Sequence, residues 1–171
     1  MTYEFAFRAQ LVVREQRQLY DYWRSCAETR QMPARGDLDP TSMRSYLPYI
    51  CLIDIHDGLT NAIVRLAGTR LRDVYGFELT GKCLGDLEWG EKAGYWQAVY
   101  RRIVNKAAPL QGAIQGPICN REHITLFWLR LPLSDDGERV NKILCYDVAV
   151  PSCSATQPEQ ILLNGGRVVN G

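Results

Sequence analysis

Apolar and polar positions along the chain change their period several times, and each change predicts an element. Residues 2–7, "TYEFAF", alternate with Tyr3, Phe5 and Phe7 on one side, which predicts a short extended arm. From about Val12 to Arg30 the period becomes helical. Val12, Leu19, Tyr20, Trp23, Cys26 and Ala27 fall on one stripe, with Arg14, Glu15, Arg17, Asp21, Arg24 and Glu28 elsewhere. This is an amphipathic helix whose stripe either covers the body of the domain or pairs with the same helix of a second copy.

The segments "YICLIDIH" (49–56) and "AIVRLA" (62–67) read as strands, and "DGLTN" between them makes a hairpin. Glycines at 76, 81 and 85 restrict 68–87 to short helices. Trp96, Val99, Tyr100, Ile103 and Ala107 then mark a long amphipathic helix across 90–108. Its basic residues Arg101, Arg102 and Lys106 are read as a solvated face near the helix C-terminus. Three strands follow, at 110–116, 122–133 and 139–150, joined by turn-forming segments into an antiparallel meander. In the tail, "ILLNGGRVV" has the look of a small hairpin around Asn164 and Gly165. The order helix, two strands, short helices, long helix, three strands is that of an α+β domain with one sheet. The divisions expected are an N-terminal arm and helix (1–32), the domain proper (33–150) and a C-terminal tail (151–171).

Composition narrows the function classes. The chain has 171 residues, 46% of them hydrophobic, enough for one good core. Lys plus Arg is 20 against Asp plus Glu at 19, so no net field favours nucleic acid or an anionic membrane. No apolar run has the length of a membrane span and the start lacks a signal-peptide layout, so the expected location is the cytoplasm. Six cysteines (Cys26, Cys51, Cys83, Cys119, Cys145, Cys153) form no C-x-x-C pair and do not cluster with His56 or His123. They are read as mostly small buried residues, and no metal site is expected.

Catalytic chemistry finds little support. Asp37 and Asp39 near Arg35 make a possible carboxylate pair, but Asp39 before Pro40 reads more simply as a cap, with Pro at the first position of a turn. No cysteine has a histidine beside it to act as base, and no phosphate-cradling or dinucleotide glycine motif is present. The polar residues that ask for an explanation lie inside apolar strands. Arg65 interrupts "AIVRLAG" and is expected either to face solvent, to contact a ligand, or to pair with Asp37, Asp39 or Asp54. Tyr100, Trp128 and Tyr146 are expected beside any cavity between helices and sheet, and with Arg65 they form the candidate ligand-binding set.

The segment "RLAGTRLRDVYGFELTGKCLGDL" (65–87) resembles the second strand and helical middle of a PAS domain. An aromatic-glycine pair, Tyr75 and Gly76, is followed by Gly81 and then by Gly85, Asp86 and Leu87. The lead-in "PARGDLDPTSMRSYLPY" and the residues after it are similar to a bacterial branch of mostly single-domain PAS proteins. The matching positions are Pro33, Arg35, Asp37, Asp39, Pro40, Leu47, Pro48, Ile50, Leu52, Asp54, Arg65, Gly68 and Thr69. The resemblance runs over about residues 17–150. It implies a five-stranded antiparallel sheet with helices packed on one face, preceded by the N-terminal helix.

The resemblance also implies a sensory or regulatory module that binds a small ligand or a partner protein and signals by contact, as a homodimer through its N-terminal helix. The alternatives are a small enzyme using the cavity and a haem-binding sensor. No cofactor is required by the residues. A photosensory flavin domain places its reactive cysteine three residues after a glycine, whereas Cys83 is two after Gly81 and lacks the expected surroundings, and "CNR" at 119–121 falls in a strand connection. An axial haem histidine is expected on or near the long helix; 90–108 contains none, and His56 and His123 lie at a turn and a strand start.

Overall fold

The computed structural model describes residues 2–152. Helices α1 (Thr2–Gln10) and α2 (Arg14–Ala27) come first, then β1 (Ile50–Asp54), β2 (Ile63–Ala67), α3 (Leu71–Tyr75) and α4 (Ala93–Lys106). Strands β3 (Leu110–Gln115), β4 (Ile124–Leu133) and β5 (Lys142–Pro151) complete the fold. The strands form one antiparallel sheet in the order β2-β1-β5-β4-β3, so the last strand of the meander also pairs with β1 of the hairpin.

Alternation along the central strands sorts their side chains between two layers. Cys51, Ile53, Arg130, Cys145 and Asp147 face the same interior space as Tyr75 of α3 and Tyr100 of α4. Leu52, Leu129, Leu131, Leu144 and Tyr146 point the other way and are buried as well. The second face is covered by the N-terminal part of the chain. Gln16, Leu19, Tyr20, Trp23 and Ala27 form the buried stripe of α2, and Trp23 donates its indole N–H to the Pro132 carbonyl of β4 at 2.9 Å. The two layers of helix therefore enclose the sheet, with α3 and α4 on one face as expected and α2 on the other.

The expected extended arm is instead helix α1. Phe7 and Leu11, four residues apart, are buried, and the Phe7 ring lies 5.0 Å from that of Tyr20. Glu4 and Arg8, on the same side, pair with Arg24 at 2.5 Å and Asp21 at 2.7 Å. A six-residue window held both periods, and docking against α2 selects the helical one. Phe5, the middle residue of the alternation, is left 77% exposed. The hairpin expected in the tail lies outside the described residues.

The charged lead-in is architecture. Asp39 accepts from the backbone N–H of Thr41 at 3.0 Å and of Ser42 at 3.2 Å, capping the turn that runs from Pro40. Asp37 pairs with Arg30 at 2.8 Å and accepts from the Ala34 N–H at 2.8 Å, while Arg35 donates to the Leu38 carbonyl. Leu47 and Pro48 then lie against Gly68. A Cβ at Gly68 would sit 2.1 Å from the Leu47 carbonyl oxygen and 2.4 Å from the Pro48 carbonyl carbon. The Gly68 N–H bonds the Ile50 carbonyl at 2.7 Å and the Arg70 N–H bonds that of Pro48 at 2.9 Å. Two motifs twenty residues apart are thus the two sides of one close backbone contact.

Candidate functional site

The interior between sheet and α3–α4 is organised around a buried ion pair. Arg130 on β4 and Asp147 on β5 are each 1% exposed. Arg130 Nη1 donates to Asp147 Oδ1 at 2.5 Å and to the Leu129 carbonyl at 3.0 Å, and Nη2 donates to Oδ2 at 3.2 Å. The Tyr75 hydroxyl donates to the same Oδ2 at 2.7 Å. Arg130 Nε has no partner among the described residues.

Three rings surround the guanidinium: Trp96 at 5.3 Å, Trp128 at 5.6 Å and Tyr100 at 5.8 Å from ring centre to the central carbon. Each ring presents a negative face to the cation, an attraction that grows when water is excluded. Burial alone works against the Arg130 charge, but the Asp147 carboxylate outweighs it and pushes the guanidinium further up. Burial and the neighbouring Asp147 charge likewise push the Tyr75 hydroxyl well up, so it stays a donor. All four tryptophans donate their indole N–H. Trp96 bonds the Pro117 carbonyl, Trp128 the Tyr95 hydroxyl, Trp89 the Leu84 carbonyl and Trp23 that of Pro132.

These side chains fill the space they surround. The void bounded by Cys51, Tyr75, Trp89, Tyr100, Arg130 and Asp147 measures about 10 Å³, room for one water molecule. Outside it, an open cleft of about 470 Å³ runs past Trp89, Lys92, Gln115, Cys119 and Glu122. The indole of Trp89 belongs to both.

The four expected ligand residues are not brought together. Tyr100 and Trp128 meet around Arg130, as part of the packed interior. Tyr146 is on the opposite face of the sheet, against Tyr46 and Tyr49, with ring centres at 6.3 and 5.7 Å. Arg65 lies at the sheet edge with 66% of its side chain exposed, and bonds Asp54 at 2.7 Å. Lys142 is the second cation on Asp54, at 3.2 Å. Burial opposes the Asp54 charge, but Arg65 and Lys142 together hold the carboxyl below its ordinary range.

Neither a flavin nor a haem suits this interior. A void the size of one water leaves no room for a flavin ring or a haem. Cys83 does not line it, and its thiol donates to the Thr60 carbonyl at 3.2 Å. His56 and His123 are exposed. Among the described residues no cluster of His, Cys, Asp and Glu is placed to hold a metal, and no helix is long and apolar enough to cross a membrane.

A family model of the PAS domain matches residues 12–146, from the start of the sheet-covering helix to the centre of β5. The chain belongs to the PAS domain family. Among solved structures, one described as a flavin analogue in a light-oxygen-voltage domain is 12% identical, with TM-score 0.51, over 72% of this chain and 90% of that one. An RNA-binding light-oxygen-voltage receptor is 14% identical, with TM-score 0.51, over 70% of this chain and 36% of the receptor. The PAS domain of a protein from Colwellia psychrerythraea is 12% identical, with TM-score 0.49, over 66% of this chain and 98% of that one. Comparison with curated proteins gives no match. At these identities the two light-oxygen-voltage structures share the fold of this PAS domain and nothing finer.

Reading along the strands missed Arg130 and Asp147, the residues at the centre of the interior. The signal was present: "LFWLRLPL" and "LCYDVAV" each carry one charge inside a long apolar strand. Arg65 carries the same signal, but its strand is an edge with an exposed face.

Proposed function

We propose that this PAS domain is a regulatory module that works by contact with other protein surfaces, with its interior serving as structure. The packed space around Arg130 carries this reading. Ligand sites commonly enclose roughly 300–1,000 Å³, against about 10 Å³ here. Sensory and regulatory roles are common to the family, and contact is what remains when the interior is filled. Native mass spectrometry of the protein purified from its own host tests this. The expected mass is that of the chain or a multiple of it, and a stoichiometric small molecule would overturn the reading.

The same protein is proposed to pair with a second copy. The apolar stripe of α2 is used on the sheet, so the surface offered is the outer one of the N-terminal segment, where Phe5 on α1 is 77% exposed and Val12, in the link to α2, is 68% exposed. Sedimentation at rising concentration should show a dimer that Phe5→Glu dissociates. A wild-type monomer at high concentration would exclude it.

A further inference from the structure

Two cysteines stand directly opposite each other at the centre of the sheet. Cys51 on β1 is in register with Cys145 on β5, and both are free thiols. They are 4% and 1% exposed and line the same small void, so both side chains project from one face. Opposed residues of an antiparallel pair have Cα atoms about 4.5–5.5 Å apart, inside the range of about 4.4–6.8 Å over which disulfides close. The other described cysteines lie apart from this pair: Cys26 on α2, Cys83 before the turn at Leu84–Asp86, and Cys119 in the connection from β3 to β4.

We propose that Cys51 and Cys145 are a redox pair, converted by a small peroxide into a cross-strand disulfide. One thiolate attacks a peroxide oxygen, the O–O bond breaks, and a sulfenic acid and one water form with hydrogen peroxide as oxidant. The second sulfur then displaces the sulfenic hydroxyl as a second water, and the S–S bond forms. Two thiols lose two electrons in all, and one peroxide is reduced to two waters. The void beside the pair has the size of a water, and hydrogen peroxide is little larger. Trp89 lines both the void and the open 470 Å³ cleft, and the route proposed for the oxidant runs past its indole. The bond to Cys145 and burial push the Cys51 thiol up, so the first step is slow at neutral pH and quickens as pH rises. None of this depends on what the domain contacts.

The experiment treats the full folded chain with hydrogen peroxide, alkylates the remaining thiols in denaturant, and maps the peptides by mass. A linked Cys51–Cys145 peptide should accumulate and disappear on reduction. The Tm without reductant should rise by roughly 5–15 °C, since the bond closes a long loop. Trp89→Ala should speed the linkage several-fold. Alkylation of both cysteines after treatment, or linkage of either one to Cys83, Cys119 or Cys153, overturns the proposal. So does a Tm rise that persists in Cys51→Ala. If that variant fails to fold, the peptide map of the unaltered chain decides alone, and an unchanged rate in Trp89→Ala refutes the route past the indole.

Discussion

Removing the Asp147 carboxylate is the most demanding perturbation of this interior. In Asp147→Ala the Arg130 guanidinium remains 1% exposed or nearly so, with its two side-chain bonds at 2.5 and 3.2 Å gone and the Tyr75 hydroxyl without its acceptor. The three rings at 5.3–5.8 Å still face the cation, but they supplied only part of its compensation. Breaking a buried pair from one side costs about 3–5 kcal/mol, a large share of the roughly 5–15 kcal/mol that keeps a domain folded. The expected fall in Tm is roughly 6–20 °C for a chain of this size. Urea unfolding followed by tryptophan fluorescence measures the free-energy loss, since Trp96 and Trp128 lie on Arg130, a thermal melt measures the fall in Tm, and an unchanged m-value confirms that the two states are the same. Arg130→Met should cost a similar amount, leaving a buried carboxylate with the Tyr75 hydroxyl as its remaining side-chain donor. The double variant Arg130→Met/Asp147→Leu should recover most of the loss, because no unpaired charge is then buried. The reasoning fails if Asp147→Ala costs under about 1 kcal/mol, or if the two single losses simply add in the double variant.

Three further outcomes are expected. Gly68→Ala should destabilise by about 3 kcal/mol or more, because the neighbours at 2.1 and 2.4 Å are backbone and cannot rotate away; a Tm within a degree of wild type would contradict the contact between the two motifs. Stability should fall on acidification, since Asp37, Asp39 and Asp54 are held below their ordinary range and Asp136, accepting from the Arg139 and Glu138 N–H groups and Ser134, is held at about 2. Each contribution is complete above the unfolded carboxyl pKa near 4 and is lost as pH drops towards the folded value, so Tm measured from pH 6 to 2 should decline through that window, and a flat profile would refute it. At the alkaline end, burial holds the Tyr75, Tyr100 and Tyr146 hydroxyls protonated beyond their ordinary range. That stabilisation is complete below pH 10 and fades as pH rises further, so the ultraviolet titration should show these phenols ionising late, together with unfolding.

The order of elements was legible because the period of apolar residues changes wherever the element type changes. Sheet order was less so: that β5 lies between β1 and β4 follows from long-range pairing, which no local pattern encodes. The N-terminal segment shows the limit most clearly. Tyr3, Phe5 and Phe7 alternate, yet Glu4, Arg8 and Leu11 also recur at helical spacing, and only partners on α2 distinguish the two. The site failed for a related reason. A lone charge in an apolar strand signals either a buried pair or an exposed edge, and Arg65 and Arg130 look alike until the sheet order is known. The lead-in motif identified the family without revealing its cause, which is the approach of Leu47 and Pro48 to Gly68.

The centre of β5 links the two helical layers through consecutive residues. Cys145 faces Cys51 and stands in register with Arg130, Asp147 holds Arg130 and Tyr75, and Tyr146 between them points through the sheet to Tyr46 and Tyr49. Those two tyrosines belong to the segment that carries the chain from α2 into β1, and Tyr46 also donates to Gln18 of α2 at 3.3 Å. A change in pairing at Cys145 or Asp147 must displace Tyr146, since neighbouring strand residues share one rigid backbone and the interior has no spare volume to absorb the shift. The N-terminal helices are therefore the layer to which an event in the filled interior is mechanically coupled, and the exposed Phe5 on α1 and Val12 in the link between α1 and α2 belong to it. A filled interior is in this way coupled to the N-terminal layer through packing alone.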